Sequence, residues 1–361
     1  MTSSAHITHV LDPWIEPQFA EQDQRYEKVF SGDEQLSRDY LRGFRRSSTY
    51  AIEWAGDKLL IATKDNYLRL YDPNRGGEEE RAWSGEWMAV QTDIKNPFMA
   101  AAVSWGGKFR VFDTRDSSKC VIDCDLQKTM SSMKDFLGLA WSPDSTHIAL
   151  SNRSDHIYIF DLRTAPLRLA SSRSMTQEVN QMVWSDASHL WVAAGGTPGK
   201  IHVLPAATLQ GENAPQLVAH QQTSISLVAD PGGKYIASGG GDCLVSLWDP
   251  RHMVCTRTFG FATQAVTTLS FNHNASLLAW GTGGLGTVGG ERNLTIVGPE
   301  TGVLYFQDAT AAPVQQVRFH PRRNVLAYTL NASQLPEERD RRMGSGRDSA
   351  VVHMLKLPDS A

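Results

Sequence analysis

A closed all-β propeller of seven four-stranded blades is the fold the sequence predicts, on three observations: a long internal repeat, matched repeat endings, and strand-type patterning inside each copy. The clearest copy runs from Ser224 to His252, "SISLVADPGGKYIASGGGDCLVSLWDPRH", and holds three alternating segments joined by a "DPGGK" turn and a tight turn at Asp242. That order, short strands bounded by Gly, Pro and Asp, is a meander. It recurs from Phe136 to Thr164 as "FLGLAWSPDSTHIALSNRSDHIYIFDLRT". Laid along the chain, the template gives seven copies, starting near Tyr50, Trp87, Met133, Glu178, Ser224, Ala265 and Pro313. Their third segments end at Tyr71-Asp72, Phe112-Asp113, Phe160-Asp161, Leu204-Pro205, Trp248-Asp249 and Val297-Gly298, with the seventh closing near Met354-Leu355. The spacings of 41, 48, 44, 44 and 49 residues between the first six endings fit propeller blades. Leucine-rich, ankyrin and helical-pair repeats are shorter or helical, whereas these copies are rich in β-branched and aromatic residues at period two.

Taken in order, residues 1–37 form an extension in which "EPQFAEQDQRYEKVF", Glu16 to Phe30, reads as a short amphipathic helix with Phe19, Tyr26 and Phe30 on one side. A propeller does not require it, and it is expected to dock on the ring or on a partner. Residues 38–358 form a single propeller. The last copy has room for three strands only, so a fourth must come from elsewhere. "RDYLRGF", Arg38 to Phe44, precedes the first copy and is expected to close the ring as the outer strand of the last blade. The sixth copy carries a Gly-rich insertion at Gly281–Gly290, and the seventh a charged loop, "PEERDRRMGSGRD", from Pro336 to Asp348.

Composition narrows the class. The chain has 361 residues, a formal charge of −4, 41% hydrophobic residues, 10 Trp, 29 Gly and 16 Pro, which excludes a polyelectrolyte or a collagen-like chain. Its length bounds a core that needs no covalent staple. Cys120, Cys124, Cys243 and Cys255 are few and unevenly spaced, and the start "MTSSAHITHVLDPWIEP" lacks a secretory pattern, so a reducing compartment is expected. No apolar run approaches the length of a membrane helix.

Chemistry-bearing motifs are scarce. His220, Ser238, Asp242 and Trp248 form a polar set preserved in full in the fifth copy alone. A buried carboxylate needs donors and a buried indole N–H needs an acceptor, so the set reads as a structural chain. Ser238 lies mid-strand, not on the exposed elbow a nucleophile occupies, which argues against a Ser-His-Asp triad. Elsewhere the set is eroded: Asp65 keeps the turn position in copy one, Asp155 lies near it in copy three, and Gly106 stands there in copy two. "GTGGLG", Gly281 to Gly286, matches G-x-G-x-x-G but is followed by no helix to hold a pyrophosphate, so it reads as a loop. The C-x₃-C pair Cys120 and Cys124 has no second pair beside it, so neither a metal nor any other cofactor is expected. Two basic clusters, Arg42, Arg45 and Arg46 with Arg38, and Arg339, Arg341 and Arg342 with Arg347, are candidates for contact with a partner or RNA. Glu337, Glu338, Asp340 and Asp348 offset much of the second cluster.

The set His220, Ser238, Asp242 and Trp248 resembles that of WD-repeat propellers, in which it forms a buried hydrogen-bonded chain. The run "KYIASGGGDCLVSLWDPRHMVCTRTFGFATQAVTTLSFNHNASLLA", Lys234 to Ala279, is similar to the Tex-type WD-repeat subunits of the THO complex, with support from "EVNQMVW" at Glu178 and "VRFHPRRNVLAY" at Val317. The likeness covers nearly all of residues 38–358; the Gly-rich insertion and the degraded second copy depart from it. It implies a nuclear, non-enzymatic scaffold of THO/TREX, acting in messenger RNP assembly and export through contacts with other THO subunits. Direct RNA contact would be weak or indirect, with no membrane and no small-molecule substrate. The alternative is a substrate adaptor of a ubiquitin ligase or a histone-peptide reader. A propeller enzyme is disfavoured, because no Asp, Glu or His recurs on the channel-facing first strands.

Overall fold

The structure is a computed structural model that describes residues 36–41, 44, 47–75, 77–116, 120–129, 132–209, 214–283, 292–335 and 351–357. They form seven four-stranded antiparallel sheets. A lone strand β1 (Ser37–Tyr40) comes first. Blade 1 is β2 (Thr49–Ala55), β3 (Lys58–Thr63), β4 (Tyr67–Asp72) and β5 (Glu78–Ser84), and blade 2 is β6 (Trp87–Thr92), β7 (Met99–Ser104), β8 (Lys108–Asp113) and β9 (Cys120–Asp125). Blade 3 is β10 (Phe136–Trp141), β11 (His147–Asn152), β12 (His156–Asp161) and β13 (Arg168–Ser174). Blade 4 is β14 (Val179–Trp184), β15 (His189–Ala194), β16 (Gly199–Pro205) and β17 (Gln216–His220). Blade 5 is β18 (Ser224–Ala229), β19 (Ile236–Gly240), β20 (Val245–Asp249) and β21 (Val254–Phe259). Blade 6 is β22 (Val266–Phe271), β23 (Leu278–Thr282), β24 (Asn293–Val297) and β25 (Leu304–Ala309). Blade 7 is β26 (Val314–Phe319), β27 (Val325–Leu330) and β28 (Val352–Lys356), with β1 as its outer strand. The one short α-helix among the described residues, α1 (Leu126–Thr129), lies between blades 2 and 3.

Two boundaries differ from the sequence windows. Copy three begins at Phe136 and not Met133, because Met133 is fully buried in the connection and mimics a strand residue. The outer strand of blade 7 ends at Tyr40: Leu41 donates to the Val352 carbonyl at 3.1 Å, and the chain then turns so that Phe44 packs on Tyr71, with 5.5 Å between ring centroids.

A defect recurs in every blade. The pairing of first and second strands slips at the second residue of the first strand, leaving Tyr50, Met88, Leu137, Asn180, Ile225, Thr267 and Gln315 outside the ladder as bulges. The ladder resumes beyond each one. Lys64, Trp105, Arg153, Gly195, Gly241, Gly283 and Asn331 donate to the carbonyls of Ser48, Glu86, Asp135, Glu178, Thr223, Ala265 and Pro313, at 2.8–3.2 Å. Each bulge is therefore pinned on both sides.

Strand ends are fixed by Asp. Asp72, Asp113, Asp161 and Asp249 each accept the backbone N–H two residues on, at 2.8–2.9 Å, the Asx geometry that turns the chain into the outer strand. Outer strands are bulged too, at Glu80, Val121, Ala170, Ala219, Thr256 and Tyr305 in six blades. Bulges twist an open edge away from further pairing.

The core lies between blades. One apolar cluster fills each seam from blades 1–2 through 5–6, and a single larger one spans blades 6, 7 and 1 around Trp54, Val317 and Leu326. The innermost strands are also stitched by hydrogen bonds. The Trp54 indole donates to the Arg318 carbonyl at 3.0 Å across the closing seam, and Trp184 donates to the Ala140 carbonyl at 2.9 Å across seam 3–4. Thr92 donates to the Trp54 carbonyl, Gln91 accepts from the Trp141 N–H, and Asn180 donates to the Ser224 carbonyl. Ser226 donates to the Val266 carbonyl, and Ser270 accepts from the Phe319 N–H.

Since β1 covers an edge of β28 that would otherwise be exposed, deleting residues 1–45 is expected to yield insoluble protein. A soluble, monodisperse deletion product in size-exclusion chromatography would contradict this.

Candidate functional site

The structure brings His220, Ser238, Asp242 and Trp248 into one line. The Trp248 indole donates to Ser238 Oγ at 2.9 Å, and Ser238 Oγ lies 2.9 Å from His220 Nε2. His220 Nδ1 is 3.0 Å from Asp242 Oδ1, and Asp242 Oδ2 accepts the Gln221 N–H at 2.8 Å. One tautomer satisfies every group: Nδ1–H donates to Asp242 while Nε2 accepts the Ser238 hydroxyl. Burial holds the His220 pKa below its usual value despite the neighbouring carboxylate, so the link to Asp242 is a hydrogen bond from a neutral ring. His220 ends β17, the outer strand of blade 4, so the chain ties that edge to the third strand of blade 5. The glycine run is part of the fit: a Cβ on Gly240 would stand 2.4 Å from His220 Nδ1. Ser238 has no exposed surface on which to meet a substrate.

Blade 1 solves the same turn differently. Asp65 stands where Asp242 stands, but its partner is Arg69, only 4% exposed, which grips both carboxylate oxygens at 2.7–2.8 Å and donates to Thr63 Oγ1 at 2.6 Å. The Arg69 hydrogen bond holds the Asp65 carboxyl below the usual carboxylate range. Asp155 sits one residue beyond the Asp242 position, at φ 58°, and accepts the Val179 N–H at 3.0 Å. Gly106 leaves its turn without a side chain.

Two polar groups at the closing seam escaped the sequence reading. Glu53 on β2 faces Arg318 on β26, Nε to Oε2 at 3.5 Å; burial raises the Glu53 pKa, and the guanidinium acts against that rise. His320, 1% exposed, is 3.0 Å from Asp57 through Nε2 and accepts the Arg322 and Arg323 N–H groups on Nδ1 at 3.1 and 3.2 Å. Its ring meets Trp54 edge-on at 4.7 Å. Burial, reinforced by Arg323, pushes its pKa down to about 4.

Arg42, Arg45, Arg46, Arg339, Arg341 and Arg342 lie outside the described residues, as do the Glu16–Phe30 segment and most of the Gly281–Gly290 insertion. Cys120 and Cys124 sit on outer strand β9 as free thiols. Among the described residues no cluster of His, Cys, Asp and Glu is arranged to hold a metal ion, and no helix is long and apolar enough to cross a membrane.

The WD domain, G-beta repeat family model matches residues 211–249, the stretch that holds the four-residue chain. The fold is a WD-repeat β-propeller. The propeller is 28% identical over 299 residues to THO complex subunit 3 of Arabidopsis thaliana, across 81% of this chain and 89% of that protein. It is 28% identical over 261 residues to WD repeat-containing protein AAC3 of Dictyostelium discoideum, across 65% of this chain and 53% of that protein. Striatin-3 of Bos taurus matches at 23% over 179 residues, 21% of its length. The resemblance to a THO WD-repeat subunit, first carried by Lys234 to Ala279, thus extends over most of the propeller.

Removing the carboxylate with Asp242→Ala leaves His220 without its acceptor and is expected to lower stability by roughly 1–3 kcal/mol. An unchanged denaturant midpoint would contradict the assignment. His220 and His320 bind protons less readily folded than unfolded, so stability is full above the unfolded histidine pKa of about 6.5 and falls as pH drops through the window below it. For His320 the loss approaches on the order of 3 kcal/mol near pH 4. Melting temperatures from pH 7.5 to 4 check this, and His320→Gln should flatten part of the slope.

Proposed function

We propose that this WD-repeat propeller is a non-enzymatic scaffold subunit of a THO/TREX complex in the nucleus, where it serves messenger RNP assembly and mRNA export through contacts with other THO subunits. The observation that carries the reading is the near end-to-end match to THO complex subunit 3, which spans most of both chains and reaches well beyond the blade-five motif common to WD repeats. The architecture supports it: two rigid faces and seven outer edges offer several docking surfaces on one scaffold. The polar groups with a described role all serve the ring: the blade-five chain, the Arg69–Asp65 pair and the His320 contacts hold strands to strands.

Affinity purification of the tagged full chain from nuclear extract tests the proposal. Recovery of the large helical THO subunits is the expected result, whereas recovery of cullin-linked adaptors or chromatin methyltransferase subunits in their place would overturn it.

A further inference from the structure

One face of the ring carries the connections from each outer strand to the next blade together with the turns between second and third strands; it is called the upper face here. The ring of bulged residues opens on it. In blades 1, 2 and 3 the bulges are apolar and consecutive, Tyr50, Met88 and Leu137, whereas blades 4, 6 and 7 present Asn180, Thr267 and Gln315 and set the apolar Ile225 of blade 5 apart from the arc. Leu137 is 42% exposed, an unusual state for a leucine on an innermost strand.

Cations stand on the same face as this apolar arc. The Lys64 ammonium stands 5.7 Å from the centroid of the Tyr50 ring, and the Arg153 guanidinium stands 6.0 Å from that of Trp105. Lys64, Lys134 and Arg153 are exposed. Beside Trp105, a Cβ on Gly106 would meet nothing within 4 Å, so the turn leaves open space. Of the acids on the same face, Asp65 is held by Arg69, Asp125 pairs with Lys128 at 3.5 Å and Asp155 accepts the Val179 N–H, while Glu86, Asp135 and Glu178 belong to the connections between blades.

We propose that the upper face of blades 1–3 receives an acidic segment of a protein partner. An aliphatic or aromatic side chain of that segment packs on the Tyr50–Met88–Leu137 arc, and its carboxylates meet Lys64, Lys134 and Arg153. The bulges hold the arc rigid, which reduces the entropy lost on docking. A protein is favoured over a nucleic acid because Glu86 and Asp135 interrupt the positive charge that a phosphate backbone follows, and because the arc offers hydrocarbon rather than more charge. The proposal rests on reading the chain as a subunit of a protein complex.

The test uses the complex purified through the tagged full chain and treated with a carbodiimide, which joins a lysine ammonium only to a carboxylate in contact with it. Lys64 and Lys134 are expected to link to Asp or Glu of a co-purified subunit. Leu137→Asp, at an exposed position, is expected to leave the melting temperature unchanged and to reduce recovery of that subunit by roughly tenfold or more. Links confined to lysines of the opposite face, such as Lys95 and Lys234, with recovery untouched by Leu137→Asp, would overturn the surface assignment while leaving the subunit reading intact. Ultraviolet crosslinking of RNA to Trp105 or Tyr67, without carbodiimide links at Lys64 and Lys134, would overturn it in favour of nucleic acid. Absence of any THO subunit from the purified material would overturn the subunit reading and this proposal with it.

Discussion

The structure depends on its last seam being as tight as its first six. In a ring, each sheet is covered by its neighbours, so one open seam would expose two apolar faces at once. The contact between β2 and β26 closes the circle. There the Trp54 indole reaches the Arg318 carbonyl, Thr49 Oγ1 bonds Thr329 Oγ1 at 2.9 Å, Glu53 faces Arg318, and Asp57 takes both His320 and Arg323. Trp54, Ile52 and Tyr71 then share one apolar cluster with residues of blades 6 and 7. Because stability in such arrays is roughly a sum over neighbours, tight seams elsewhere permit local polar losses.

Those losses follow a physical pattern. By strand register, the positions equivalent to Ser238 are Ile61, Ala102, Leu150, Val192, Trp280 and Tyr328. Most are apolar. Replacing a whole buried polar group by hydrocarbon costs little, whereas removing one partner strands the other. Blade 5 therefore keeps all four members or none would serve, and blade 1 replaces its own set with a complete Arg69–Asp65–Thr63 group.

Much of the fold could be read from the sequence because its signals are local. The aromatic-Asp endings mark the turn after a third strand, since the Asp carboxylate caps a backbone N–H two residues away. His220, Ser238, Asp242 and Trp248 all fall within the single repeat match at residues 211–249, with His220 just before the first strand of blade 5, so their meeting follows from the template. Partners far apart in sequence were not legible. Glu53 and Arg318 are separated by nearly the whole ring, and Arg69 looks like an ordinary surface arginine in "YLRLYD" until its burial is seen. The bulges were hidden for another reason: a slipped pairing leaves alternation intact on both sides, and Leu137 then reads as a core leucine although it is exposed.

The pairing of β1 with β28 also sets an order of events. Ser37 meets Lys356 and Tyr40 meets His353, so the earliest of the described strands to leave the ribosome waits for the latest of them. At roughly 5–20 residues per second that interval is on the order of 20–60 s. During synthesis the finished blades form an open arc with an uncovered sheet at each end, and the ring becomes a closed object only after β28 has been made. Contacts of such separation are slow to form, and an arc with two sticky ends is the state in which nascent chains of this kind join one another. A cell that makes this propeller must therefore shield it for that interval, either with a chaperone or with the partner it is destined to join.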